Sequence, residues 1–226
     1  MKRLIVAALA AVLWCTSTVQ AQINGLDDIL FWAGTGSNRS ALIVDFQDGN
    51  TRSAFAFGYR WDGSATAGDM LTALDGLAGL SISSPGFVQT ITYLDPVTGI
   101  THSRTAGFFT DYPTDWISWG YFIAGGSAVI YDSNPPYDPI GSLNPPGAGV
   151  SVPEGWSISP SGSFGRALAD GSWDAFSFGA VDLSFNPVAP PTDTIYAAVP
   201  EPSTVGLLLI AMLTLFWHVK RRIHAS

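Results

Sequence analysis

Residues 41–61 read ALIVDFQDGNTRSAFAFGYRW, two apolar runs separated by a short polar turn. The Asp48-Gly49 pair is typical of β-hairpin turns, because both residue types accept the backbone angles that a tight turn requires. In the second run aromatic residues alternate with small ones, which places the rings on one face of a strand. These rings belong to Phe55, Phe57, Tyr59 and Trp61. The pattern predicts a β-hairpin whose aromatic face covers a core, while its small-residue face packs against another element.

The residues after this hairpin predict a mainly β protein. A short helix is expected over residues 66–74, where Thr66 can cap the first turn and Asp69 suits the positive end of the helix dipole. Further strands are predicted from apolar and aromatic runs at residues 87–94, 99–109 and 116–123, and residues 166–178 indicate a turn that leads into another aromatic strand. Six prolines in residues 133–153 indicate a long irregular surface loop. We therefore expect a single antiparallel, sandwich-like β domain with one or two short helices.

The N-terminal residues 1–21 have the pattern of a signal peptide. A positive start precedes an apolar stretch, and a small-residue cleavage pattern ends between Ala21 and Gln22. Cys15 is the only cysteine in the chain. Signal-peptide removal would leave no cysteine for a disulfide, a thiolate metal site or a nucleophile.

The C-terminal residues 199–226 combine three features. A Pro-Glu-Pro motif comes first, an apolar run follows, and a basic cluster lies near the end. The motif residues are Val199, Pro200, Glu201, Pro202, Ser203 and Thr204, and the basic cluster is Lys220, Arg221 and Arg222. About 20 apolar residues suffice to cross a bilayer, so we predict a transmembrane helix over residues 204–219. The basic cluster predicts that everything upstream is outside the cytoplasm.

This order resembles the PEP-CTERM sorting tail of exported proteins in Gram-negative bacteria. The resemblance implies export by the Sec machinery and recognition of the tail by an exosortase at the inner membrane. It also implies a final location at the cell surface or outside the cell, where extracellular polysaccharide is a possible partner. An ordinary C-terminal membrane anchor is the alternative.

Domain boundaries follow from these segments. We expect a β-rich extracytoplasmic domain over residues 22–185 and a proline-containing stalk over residues 186–198. Residues 22–199 hold five arginines and no lysine against 17 acidic residues, a formal charge of −12. Such a surface repels phosphate backbones, which excludes nucleic acid as a partner.

Residues with catalytic or metal-binding chemistry are scarce between the two targeting segments. His102 is the only histidine there, and we expect it to be an exposed strand residue, because one imidazole cannot build a histidine-rich metal site. Three aspartate pairs lie beside predicted turns: Asp45 with Asp48, Asp111 with Asp115, and Asp170 with Asp174. Aspartate commonly bonds to its own backbone at turns, so we interpret these pairs as turn chemistry. No cofactor, metal or enzymatic activity is predicted.

Two functions fit these observations. The first is a noncatalytic cell-envelope or extracellular-matrix protein that its tail delivers. The second is a surface ligand-binding module, in which exposed tryptophans stack on a carbohydrate or a corrinoid. Residues 31–38, 42–46 and 58–63 resemble a module of bacterial surface proteins, and some similar sequences from gut bacteria are associated with corrinoid uptake. The candidate platform consists of Trp32, Trp61, Trp116, Trp119, Trp156 and Trp173.

Overall fold

The computed structural model describes residues 22–83, 88–107, 117–132, 135–147, 149–180, 189–192 and 194–199. The predicted signal peptide, the transmembrane helix over residues 204–219 and the motif from Pro200 onward lie outside the described residues. Within those ranges no helix is long and apolar enough to cross a membrane.

The prediction of a mainly β protein is confirmed. One α-helix, α1, spans Ala67–Leu74, and short 3-10 turns lie at Leu26–Asp28 and Ser163–Gly165. The strands of the described ranges are β1 Trp32–Gly34, β2 Asn38–Asp45, β3 Ala54–Trp61, β4 Leu80–Ile82, β5 Thr90–Leu94, β6 Thr101–Thr105, β7 Ile117–Ala124, β8 Ser127–Tyr131, β9 Pro139–Leu143, β10 Ser157–Ile158, β11 Arg166–Ala167, β12 Ser172–Ala180 and β13 Tyr196–Ala197.

The main sheet is built around the predicted hairpin. β2 and β3 pair antiparallel from Asn38 opposite Trp61 to Asp45 opposite Ala54. The strand order is β1-β3-β2-β12-β7-β10, with β13 also on β3. β1 and β13 both run parallel to β3, and β12 runs parallel to β2. The expectation of a purely antiparallel domain is therefore wrong. Parallel neighbours need long crossover connections, and a hairpin pattern carries no information about them.

Both faces of the main sheet are buried, because side chains alternate along its central strands. Leu42, Val44 and Phe57 point to a first core, which α1 and strands β4 and β5 cover on the other side. Ala41 and Ile43 point to a second core on the opposite face. N-terminal and C-terminal segments cover this second core, contributing Ile23, Leu26, Ile29, Ile195 and Ala197.

The predicted helix forms as expected. Thr66 and Asp69 make a capping box, in which the hydroxyl accepts from the Asp69 N–H and the carboxylate accepts from the Thr66 N–H at 2.8 Å. The capping box satisfies backbone donors that the first turn of a helix leaves free. Met70, Leu71 and Leu74 are fully buried, so the helix packs its apolar side into the first core.

Two of the predicted irregular segments contain strands. Residues 133–153 include β9, which pairs with β8 in a three-stranded sheet of order β11-β8-β9. The predicted stalk is also wrong over residues 195–198. β13 pairs with Phe55 and Ala56 of β3, and Ile195, Ala197 and Ala198 are each at most 3% exposed. Prolines nearby suggested a spacer. The short apolar run Ile195–Ala198 instead stabilises the fold, because it buries apolar surface at the sheet edge and in the core.

Candidate functional site

Three of the candidate tryptophans lie in the protein interior. Trp61, Trp119 and Trp173 are 5%, 8% and 0% exposed, respectively. The indole N–H of Trp173 donates to the Gly149 carbonyl at 3.0 Å, so loop residues cover this ring. These three rings therefore present no free face to a ligand. Trp116 lies outside the described residues.

Trp32 and Trp156 are partly buried against the second core. The guanidinium of Arg60 lies 4.6 Å from the centre of the Trp32 ring. On Gly58 a Cβ would come within 2.4 Å of the same indole, so the backbone of β3 is in contact with the ring. Trp32 is thus already stacked within its own domain. A ligand-stacking role stays a prediction for the exposed part of the Trp156 ring.

Two cavities test whether these rings line a ligand site. One, of about 430 Å³, is lined by residues 146–147 and 149–155. The other, of about 200 Å³, lies between two turns and is lined by Asn50, Thr51, Arg52, Thr98 and Ile100. Neither cavity has a tryptophan in its lining. The structure does not bring the candidate rings together at either of them.

His102 is buried, which corrects the expectation of an exposed strand residue. Its exposed fraction is 1%, and its ring lies 4.9 Å from that of Phe55 and 5.4 Å from that of Phe46. The Nδ1 atom lies 2.6 Å from a carboxylate oxygen of Asp48, while Nε2 is buried and makes no hydrogen bond. The strand pattern contained the signal, because Thr101, Ser103 and Thr105 occupy the exposed positions of β6 and leave position 102 facing inward.

Asp48 holds this histidine from the β2–β3 turn. Burial raises the pKa of Asp48, but the contact with His102 and the N–H of Asn50 outweigh it, and the pKa stays below the ordinary 3.8. Asp45 differs, since burial dominates and raises its pKa despite hydrogen bonds from the N–H groups of Thr192 and Gln47. The predicted turn bonds exist at both aspartates, and each carboxylate also ties the turn to a distant segment.

Arg52 and Asp95 form a buried ion pair that joins the main sheet to the β4-β5-β6 sheet. The Nε–oxygen distance is 2.9 Å, and the side chains are 5% and 0% exposed. Asp95 also accepts from the Val97 N–H and the Thr98 hydroxyl, and these bonds hold the turn over residues 95–99. The Arg52 guanidinium lies 4.2 Å from the Tyr196 ring centre, so β13 covers this pair.

A second buried ion pair joins β11 to β12. Arg166 donates from Nε to Asp174 at 3.1 Å, and both side chains are 0% exposed. The Tyr121 hydroxyl donates to the same carboxylate. Burial raises the pKa of Asp174 against the opposing effect of Arg166, and burial beside this anion raises the pKa of Tyr121 well above 10.0. The interpretation of Asp174 as turn chemistry is wrong, because the side chain points inward from the middle of the main sheet.

The two predicted processing boundaries lie next to each other. Gln22, the first residue after the predicted signal cleavage, bridges to Tyr196, and Ile23 donates to the Ile195 carbonyl at 2.9 Å. Val199, the first motif residue, is half-buried and follows fully buried Ala198. Sequence reasoning missed this pairing, since it joins residues at opposite ends of the chain.

In the described part of the chain, no group of three or more histidine, cysteine, aspartate or glutamate residues is placed to hold a metal ion. The sequence matches no protein-family model, and no curated protein or solved structure matches it.

Proposed function

We propose that this chain is a noncatalytic exported protein of the cell envelope or extracellular matrix, which an exosortase sorts through the C-terminal tail. One observation carries the proposal. Gln22, directly after the predicted signal peptide, bridges to Tyr196, and β13 pairs with β3 shortly before the predicted motif, so the fold reaches the borders of both predicted targeting segments. A passive cargo domain needs this arrangement, because its fold must survive removal of both segments.

The surroundings of Asp45, Asp48, Asp95 and Asp174 support a noncatalytic role for these four carboxylates. A general acid or base must reach substrate, whereas Asp95 and Asp174 are fully buried and each is paired with an arginine. Asp45 and Asp48 hold backbone and histidine partners around one turn. These carboxylates stabilise the fold, and the β4-β5-β6 sheet packs on the main sheet through the first core.

The ligand-binding alternative finds less support. A stacking platform needs accessible ring faces near one another, but Trp61, Trp119 and Trp173 are buried and Trp32 stacks with Arg60. We therefore place the recognition function in the tail and not in the domain.

The test is a comparison of the only two glutamates in the chain, Glu154 and Glu201. Glu201→Ala alters the motif, and we expect the protein to accumulate unprocessed in the inner-membrane fraction of a strain that contains exosortase. Glu154→Ala changes the same side chain on an exposed loop of the domain, so its distribution should equal that of the unaltered protein. A normal surface or extracellular distribution of Glu201→Ala would argue against sorting through this motif.

A further inference from the structure

The last strand of the domain lies directly before the sorting motif. β13 pairs parallel with β3, with Tyr196 opposite Phe55 and Ala197 opposite Ala56. The N–H of Ala198 donates to the Ala56 carbonyl at 3.0 Å, which extends the pairing by one residue. Backbone pairing therefore reaches to within one residue of Val199.

Side chains of the same segment close two parts of the interior. Ile195 and Ala197 belong to the second core, while Ala198 is 0% exposed and belongs to the first. The Tyr196 ring covers the Arg52 guanidinium, which is itself paired with Asp95. Loss of this segment would open both cores and uncover a buried ion pair.

The N-terminal segment depends on the same strand. Ile23 donates to the carbonyl of Ile195, and Gln22 bridges to Tyr196. Ile23 is 3% exposed in the second core. Residues 195–198 are thus held between β3 on one side and the first residues of the domain on the other.

A protease needs several residues of extended, accessible backbone around the bond that it cuts, and backbone hydrogen-bonded within a sheet does not provide them. We propose that the chain is cut on the C-terminal side of Val199, so that the mature protein keeps residues 195–199 as its closing strand. The proposal rests on the proposed function and locates the cut that it implies. The fold itself sets this limit, because the backbone bond from Ala198 to Ala56 lies directly before Val199, the first residue of the motif.

The limit can be measured on the full chain without an exosortase. Proteinase K digestion of the detergent-solubilised protein should trim the C-terminal tail and stop at or just beyond Val199, as read from the intact mass of the product. Ala197→Asp puts a charge into the second core and should undock β13. Because burying an unpaired charge is strongly unfavourable and cleavage follows the population of the open form, we expect the trimmed product to be lost about tenfold faster or more.

Thr194→Asp is the matched control, since Thr194 is exposed and lies just before the strand. It should give the same protected product at the rate of the unaltered protein. Trimming of the unaltered protein past Ile195, or equal rates for Ala197→Asp and Thr194→Asp, would overturn the proposal.

Processing in cells separates this inference from the function on which it rests. A tail removed only when exosortase is present, with a mature C-terminus at or after Val199, agrees with both. A mature C-terminus upstream of Ala198 would contradict the limit while leaving sorting intact. Retention of the tail in both strains would contradict sorting and the proposed cut together, and the digestion would then still report whether β13 closes the domain.

Discussion

At the residue scale, the domain is unusual in how it uses its few cations. Residues 22–199 contain five arginines, and two of them, Arg52 and Arg166, lie in fully or nearly fully buried ion pairs. Removing one partner of a buried pair leaves an uncompensated charge in the interior, which is far more costly than loss of the same contact at the surface. The Arg52–Asp95 pair joins positions 43 residues apart, and the Arg166–Asp174 pair joins β11 to β12, so both favour one specific arrangement of the strands.

The buried pair at Asp174 predicts a large effect of a small change. Asp174→Asn keeps the shape of the side chain but leaves Arg166 charged and unpaired, so we expect a loss of about 3–5 kcal/mol in the free energy of unfolding. Asp27→Asn makes the same change in the surface pair with Arg39, where the Asp27 side chain is 71% exposed, and should cost about 1 kcal/mol or less. Urea titrations of both variants measure the difference. Equal losses would show that the Arg166–Asp174 pair does not contribute as the structure indicates.

For single residues, local turn bonds were predictable from sequence, and long-range partners were not. The turn bonds of Asp45 and Asp48 follow from their local pattern, and the structure confirms them. The partners of Asp95, Asp174 and His102 do not follow from a local pattern, because each pair brings together residues that only the folded sheet order places side by side. Alternation along β6 would have placed His102 inside, but its partner Asp48 lies in the distant β2–β3 turn.

At the element scale, the β2–β3 hairpin and helix α1 were predictable because their signals are local. Turn chemistry, alternation and capping all lie within a few residues of each other. The pairing of β2 with β12 was not predictable, since it is parallel and joins Ser40 to Ser172 across most of the chain. The small-residue face of β3 was recognised as a packing surface, and the structure shows Ala54 and Ala56 in the second core.

Gly58 in β3 gives a test of that packing. A Cβ at this position would meet the Trp32 indole at 2.4 Å, so Gly58→Ala must displace the ring and should destabilise the domain by about 1–3 kcal/mol. Gly179 of β12 is the matched control, because a Cβ there meets nothing within 4 Å. Gly179→Ala should be neutral or slightly stabilising, since alanine loses less backbone freedom on folding. Thermal unfolding followed by tryptophan fluorescence compares the two variants, and an unchanged Tm for Gly58→Ala would contradict the described position of Trp32.

At the scale of the whole molecule, the two ends of the domain meet. Gln22 and Tyr196 are bridged at the edge of the main sheet, so the chain enters and leaves the fold at neighbouring points. The strand patterns correctly indicated a mainly β domain, but the stalk was misplaced because prolines near residues 189–191 obscured a four-residue apolar run. Such a run has no periodicity to identify it, and its burial depends on an open edge of β3 that sequence does not reveal.

We propose that residues 22–199 are a self-contained cargo and that the residues after them are a sorting signal. The decisive experiment is intact-mass spectrometry of the protein from envelope and extracellular fractions, in strains with and without exosortase. We predict a mature mass that corresponds to a chain beginning at Gln22 and lacking the tail beyond the motif, present only when exosortase is active. The same tail-bearing mass in both strains would contradict the claim and indicate an ordinary membrane anchor.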